Sequence, residues 1–471
     1  MALEHADNGA LVLPFIARVA SRLTLRNLVM RGREPEGPFR AVRTIEVELS
    51  QPLSSLSAET RPDGTVYAIF RLLVRLHRHP LGFIVVNLDE GPLSSETLKQ
   101  RICEKLGDEI AAHLRADSLL ADSQLVDQLP VVGECRSKEL NVSTGPLVSV
   151  IICTVSRPRQ LRGAMWALLE LAYKNFEVII VDNNPGDPVT LELFNSEYAQ
   201  LSNVKYVAEP TRGLSAARNT GMAQARGDII AFTDDDIMVD REWLTALVGG
   251  FDEAGDVACV TGLTLASELD SAAQQLFEQY GAFNKGYETL LFDRDVNTAP
   301  TLLYPYSAGV FGGGGNSAVR LEGIGEKVSF DRRLGPGTPA FGAEDLDVFL
   351  KIIESGKQIR YVPDAIAWHE HRRSYVDLRW QMFTYGAGLT AFLTKLIITD
   401  RRVAGRILRR APRVLGLLHQ QTNEASAETV PRDLRRLERL GYVYGPIAFV
   451  RSAVALRRGR HSSGDRVENV R

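Results

Sequence analysis

The stretch Asp228–Asp236 (DIIAFTDDD) decides how this chain is read. Ile229–Phe232 are apolar without alternation, the texture of a strand buried on both faces. Three aspartates follow at once. Their mutual repulsion is costly unless a cation neutralises it, and oxygen ligands of this kind suit Mg2+ or Mn2+ bridging carboxylates to phosphates. Taken alone, three acids also fit a solvated loop or an acidic helix start, which Asp240-Arg241-Glu242 could supply. Placement at the end of a buried strand favours the metal.

Working outward, Leu147–Cys153 (LVSVIIC) and Phe176–Val181 (FEVIIV) have the same β-branched texture, and the second runs into Asp182. Val204–Val207 is a weaker strand. Helical segments around Leu161–Tyr173 and Leu214–Ala225 lie between them. Strands alternating with helices, with polar residues just past the strand ends, predict an α/β fold. The expected architecture is an open, mostly parallel sheet flanked by helices, with ligands at the C-terminal strand edge. This catalytic-type region spans 146–375.

Residues 1–145 read as a small α+β module. Thr44–Leu49, Val66–His77 and Gly82–Leu88 are strand-like, the last two parted by His79-Pro80. Leu98, Ile102, Leu106, Ile110 and Leu114 recur every four residues, predicting a helix from a Ser94 or Ser95 cap. No cluster of catalytic residue types stands out in this module. Residues 376–471 read as a basic, amphipathic helical region. Residues 401–471 carry a net charge of +10 and the first 400 a net of −13, an asymmetry hidden in the total of −3. With 45% hydrophobic and 24% charged residues, a disordered chain and a collagen-like chain are both excluded. Four scattered cysteines without a Cys-x-x-Cys pair argue against a zinc ribbon or a disulfide framework and for reduced thiols. The acidic N-terminus lacks a signal peptide's basic start, so a cytoplasmic location is expected. No uncharged apolar run reaches 18 residues, so a conventional membrane span is not expected.

The run VSVIICTVSRP (148–158), FEVIIVDNNP (176–185) and VKYVAEPTRGLSAARNTGMAQARGDIIAFTDDD (204–236) resembles the nucleotide-binding half of a family 2 glycosyltransferase. FGGGGNSAVR (311–320), FGAEDLDVFLKIIESGKQIRYVPDAIAWHEHRR (341–373) and QMFTYGAGLTAFLTK (381–395) continue the likeness, which covers roughly half the chain. The resemblance implies a GT-A fold, inversion at the anomeric centre, a nucleotide-diphosphate sugar donor and a Mn2+ or Mg2+ cofactor. It implies donor contacts from Thr154, Ser156, Arg157, Asp182, Arg212, Gly213, Arg218, Asn219, Asp234 and Asp235. Asn183 stands where many relatives carry a second acid. Asp236 and Asp234, the outer acids of a DxD motif, would hold the metal together with His369, with His371 as the alternative. Asp345 would be the catalytic base, with Glu344 and Asp347 as alternatives. Gly314, Gly315, Asn316, Trp368 and Arg372 would line the sugar and acceptor pocket. A flexible turn is the competing reading of Gly312–Gly315.

An inverting transfer is one displacement, so a single base suffices. The acceptor would be a glycan, glycolipid or lipid-linked saccharide. Arg401–Arg413, six of whose thirteen residues are arginine, reads as a helix on an anionic membrane surface. The competing reading pairs these arginines with the acidic body. Nucleic acid is disfavoured by the acidic body and the scarcity of interleaved aromatics. Acceptor recognition and homo-oligomerisation are the roles open to residues 1–145. Two other functions compete: a sugar-1-phosphate nucleotidyltransferase, which should carry a glycine-rich loop where TVSRPRQ stands, and a non-catalytic sugar-binding scaffold.

Overall fold

The computed structural model describes residues 29–32, 39–117 without 62 and 65, 145–251 and 256–459, apart from gaps at 281–282, 300, 302–303, 308, 323–327, 407–408 and 410–430. Cys135 and most of the Arg401–Arg413 stretch beyond Arg406 lie outside the described residues.

The N-terminal module consists of β1 (Val42–Glu48), β2 (Glu59–Thr60), β3 (Val66–Tyr67), β4 (Ile69–Leu76), β5 (His79–Asn87) and α1 (Ser95–Ala116). Strand β4 is central, with β1 parallel on one side and β5 antiparallel on the other. Helix α1 begins where the spacing predicts. Ser94 accepts from the Thr97 amide, and the predicted stripe from Leu98 to Leu114 is buried against the sheet. The break between the strands differs from expectation. The turn is His77-Arg78, both with positive φ, while Pro80 lies inside β5 beside a register shift. Such an irregularity spares proline the ladder hydrogen bond it cannot donate.

The central region runs β6 (Val148–Thr154), α2 (Pro158–Leu169), β7 (Phe176–Asp182), α3 (Val189–Leu193), β8 (Val204–Ala208), α4 (Leu214–Gln224), β9 (Ile229–Asp234) and β10 (Ile237–Val239). It continues with α5 (Trp243–Gly249), β11 (Val257–Ala266), α6 (Ala272–Gln279), β12 (Leu290–Phe292), β13 (Asn316–Arg320), α7 (Glu344–Glu354) and β14 (Gln358–His369). Among the described residues these form one nine-stranded sheet, ordered β10-β14-β11-β13-β9-β6-β7-β8, with β12 also on β14. The half from β9 to β8 is parallel throughout. The other half is mixed, because β13 inserts antiparallel between β9 and β11. Every residue of β6 and β7 is buried, as their unbroken β-branched runs predict. Helices cover both faces, giving two apolar cores. One lies beneath α2 and α5, the other beneath α4 and α7. The result is the open α/β sheet flanked by helices that the strand–helix alternation predicts, with its second half mixed and not parallel.

Two long helices follow, α8 (Tyr375–Thr399) and α9 (Arg432–Arg457). Their backbones meet at glycines. A Cβ at Gly441 would lie 2.2 Å from the Phe383 carbonyl oxygen, and one at Gly445 2.4 Å from that of Ala387. Helix α8 is long and apolar enough to cross a membrane by composition, but half of its most apolar window is buried in the fold. Lys395 pins it to the central region through Asp331 at 2.9 Å and through Asp347. The N-terminal module docks through Arg61 to Asp270 at 2.6 Å, Arg71 to Glu278 at 2.7 Å and Arg75 to Asp240 at 2.7 Å.

Candidate active site

Strands β6, β7 and β9 finish level with one another. Thr154 pairs with Asp182, and Cys153 with Asp234, so register alone sets three predicted site residues along one edge. Asp182 is fully buried and accepts from the Tyr206 hydroxyl and the Asn184 amide, both at 2.9 Å. Burial pushes its acidity down, so its pKa is raised despite those two donors. Asn183, where an acid was sought, braces the neighbouring loop. Its amide donates to the Glu209 and Thr211 carbonyls and accepts from the Gly213 N–H at 2.8 Å. Gly213, directly after Arg212, needs its φ of 129° to enter α4. Ser156, at a φ of 50°, accepts from the Asn184 amide at 2.9 Å.

The three aspartates part company. Asp235 turns inward, where it accepts from Thr154 at 2.7 Å and Arg157 at 2.5 Å. Burial raises its pKa to about 7, with Asp236 adding to and Arg157 opposing the shift. Arg157 also reaches Asp236 at 3.1 Å. Burial works against the Asp236 charge, but His369, Arg157 and Arg372 hold its pKa below the usual carboxylate range. Asp234 pairs with Arg218 at 3.0 Å and still feels the Asp236 charge.

Arg218 joins the two acidic motifs. Its side chain is 2% exposed, and its second nitrogen donates to Glu344 at 3.1 Å. Glu344 and Asp345 open α7, reached through Phe341 and Ala343, both at positive φ. Non-glycine residues rarely adopt that backbone, and the strain delivers both acids to the strand edge. Burial and the Asp345 charge lift Glu344 to about 7 against the pull of Arg218. Asp345 stays partly open, with Oδ2 accepting the Gly314 N–H at 3.1 Å. Asp347 is buried among Lys351 and Lys395 and lies outside this constellation.

The glycine loop is a tight spacer, not a flexible turn. A Cβ at Gly314 would lie 2.7 Å from that of Asp345, and one at Gly315 would lie 2.3 Å from the Asp234 carboxylate. Only glycines let this backbone run between the two acids.

Two predicted contacts are corrected. Asn219 exchanges hydrogen bonds with the Phe330 N–H and carbonyl, at 2.9 and 2.8 Å, so its amide fastens that segment and is not offered to a nucleotide. Asn316 is buried, accepts from Trp243 at 2.7 Å, and donates to Leu263 and Ala365, which makes it a bracket inside the sheet. Trp368 is half-buried against the core, while Arg372 is exposed and near enough to lower the Asp236 pKa.

The two histidines take different places. His369 Nε2 lies 3.7 Å from Asp236, and its Nδ1 lies 2.8 Å from His371. His371 is buried and reaches Glu278 at 3.1 Å, and Glu278 is held by Arg71 of the N-terminal module. Burial, aided by His371 and Arg372, lowers the His369 pKa to about 4 against the pull of Asp236. A neutral imidazole beside ionised Asp236 is a donor set that fits Mn2+ better than Mg2+. The chain from His371 to Arg71 escaped sequence reading, because nothing local marks Glu278 or Arg71. Tyr385 of α8 was also missed; it is 40% exposed and feels the charges of Arg372, Asp345 and Asp236.

Comparison with known proteins bears on the family. Residues 149–306 match the model of glycosyl transferase family 2. A pre-mycofactocin glycosyltransferase of Mycobacterium tuberculosis is 24% identical over 282 residues, covering 60% of this chain and 53% of that protein. A glucosyl-dolichyl phosphate glucuronosyltransferase of Haloferax volcanii is 28% identical, covering 50% of this chain and 73% of that protein. The chain thus spans about half the length of the first of these relatives. Among solved structures, a Pyrobaculum calidifontis mannosyltransferase in complex with GDP-Man and Mn2+ aligns with a TM-score of 0.41 at 16% identity, over 68% of this chain and 89% of that one. The likeness to glycosyl transferase family 2 thus rests on residues 149–306, the part of the chain that its model matches.

Proposed function

We propose that the protein is a metal-assisted, inverting glycosyltransferase that moves a sugar from a nucleotide-diphosphate donor to an acceptor hydroxyl. The observation that carries this reading is the Arg218 bridge, which holds the strand-end acid Asp234 and the helix-start acid Glu344 on one guanidinium. Asp345, next to Glu344, is only partly buried, which supports its role as the base.

The residues divide the work. Thr154, Ser156, Arg157, Asp182 and Arg212 surround the nucleotide end. Asp236, His369 and Asp234 would hold Mn2+ or Mg2+. When bound, the ion supplies positive charge for the departing diphosphate. Arg372 adds charge on the same side. Asp345 accepts the acceptor hydroxyl proton as the new bond to the anomeric carbon forms and the bond to the phosphate oxygen breaks. Tyr385 offers an aromatic surface on the acceptor side.

The acceptor is proposed to sit at a lipid surface that this cytoplasmic protein visits. Support comes from α9, where Leu440, Val443, Val450 and Val454 share one face and Val443 is 74% exposed. Exposed Arg436, Arg439, Arg457 and Arg458 lie at its two ends, a pattern that suits anionic headgroups around an apolar stripe.

The test is a panel of nucleotide sugars read by thermal shift with and without Mn2+, followed by turnover of the stabilising donor. Asp345→Asn is expected to keep donor binding and lose transfer by about 10²-fold or more. Near-normal turnover removes Asp345 as the base, and absence of metal-dependent donor binding removes the whole reading.

A further inference from the structure

Away from this edge, three ligating atoms converge in the N-terminal module. His77 Nδ1 lies 3.3 Å from His113 Nε2 and 3.2 Å from Asp117 Oδ2, and His113 Nε2 lies 3.2 Å from the same carboxylate oxygen. The three side chains are 4%, 12% and 5% exposed. His77 comes from the β4–β5 turn, His113 from the last turn of α1, and Asp117 caps that helix. No cluster stands out in the sequence of this module, because His77 lies 36 and 40 residues from the His113–Asp117 pair.

The triangle is nearly equilateral, and its edge matches that of a tetrahedral dication site. In a tetrahedral site, ligand atoms stand apart by about 1.6 bond lengths, so ligands about 2.0 Å from Zn2+ are about 3.3 Å from one another. A hydrogen-bonded triad accounts less well for the same distances. Charge-assisted N–H to carboxylate bonds run about 2.7–2.9 Å. Two ring N–H groups donating to one oxygen would also leave the nitrogens facing each other, proton toward proton. A single cation satisfies all three lone pairs at once.

The surroundings fix the rings. Glu48 accepts from the His77 and Arg78 amides, each at 2.9 Å, which holds the turn in its positive-φ conformation. The His79 ring stacks on that of His113, with centroids 5.1 Å apart and planes 12° apart. His79 Nδ1 also lies 3.1 Å from Asp364 of β14, so the cluster sits where the module meets the central region.

We propose that His77, His113 and Asp117 form a tetrahedral site for a zinc-type dication, completed by water. It is distinct from the Asp236 edge. The mixed nitrogen and oxygen donors suit Zn2+ over Mg2+ or Ca2+. Its effect is to tie the β4–β5 turn to α1, and so to set the face that the module presents to β14.

The test uses the full chain stripped with a chelator and titrated with Co2+ and then Zn2+. The expected result is a single equivalent of Co2+ with the strong visible absorption of four-coordinate cobalt, displaced by Zn2+. Asp236→Ala should retain that absorption, which separates this site from the candidate active site. His77→Asn and His113→Gln should lose it while circular dichroism shows unchanged helix content. Weak six-coordinate absorption or none in the wild-type chain overturns the proposal, a result independent of whether any variant folds. Undiminished absorption in both histidine variants also overturns it.

Discussion

Replacing Arg218 by methionine isolates the contact that joins the two acidic motifs. The cation is buried, and methionine fills much of the same volume without charge. Two carboxylates are left behind, and they respond differently. Asp234 is 32% exposed, so solvent screens part of its loss. A charge-assisted hydrogen bond of this kind is worth about 1.5–3 kcal/mol, and the lower end applies here. Glu344 is buried, with a pKa already near 7 while Arg218 is present. Without the arginine its pKa rises further. A raised acid contributes stability that is present at low pH and lost as pH climbs through its folded value. Below pH 7 Glu344 is mostly protonated in both chains, so the proton-linked penalty is small. Above pH 7 the penalty should grow by about 1.4 kcal/mol per pH unit until the variant's own pKa is reached. Urea unfolding of both chains at pH 6, 7 and 8 gives the measurement. A difference under about 0.5 kcal/mol at pH 7, or one that stays flat to pH 8, refutes the assigned bridge.

Gly315→Ala should force the Asp234 carboxylate aside, since the added Cβ would lie 2.3 Å from it. A displacement near 1 Å costs about 10²-fold in turnover, so transfer should fall far more than thermal stability. Arg71→Leu removes the cation behind Glu278, and with it the brace on His371 and His369. Donor-dependent Mn2+ affinity should fall while nucleotide affinity without metal stays the same, as isothermal titration would show. Val443→Asp with Val450→Asp should reduce sedimentation with anionic vesicles; unchanged sedimentation argues against the α9 face as the contact.

Much of the parallel half of the sheet was legible because its signals are local. Unbroken β-branched runs mark strands buried on both faces, and the acids that end them inherit their place at the edge. The α1 stripe was legible for the same reason, since a four-residue spacing places every member on one face. The mixed half was harder. Antiparallel β13 follows a glycine loop whose spacing fits several turns, and only contact with Asp345 and Asp234 shows why those glycines are required.

The sequence by itself determined which residue types lie at the ends of β6, β7 and β9, because strand register carries them there whatever else the chain does. Tertiary structure alone decided how those residues are shared out. It turned Asp235 inward to Thr154, gave Asp234 and Glu344 one arginine, and used Asn219 and Asn316 as brackets. It also set His369 toward Asp236 with His371 behind, and drew His77, His113 and Asp117 together. The physical reason is range. Periodicity and strand ends are fixed by neighbours along the chain, whereas burial and charge pairing are fixed by partners that only folding brings within a few ångströms.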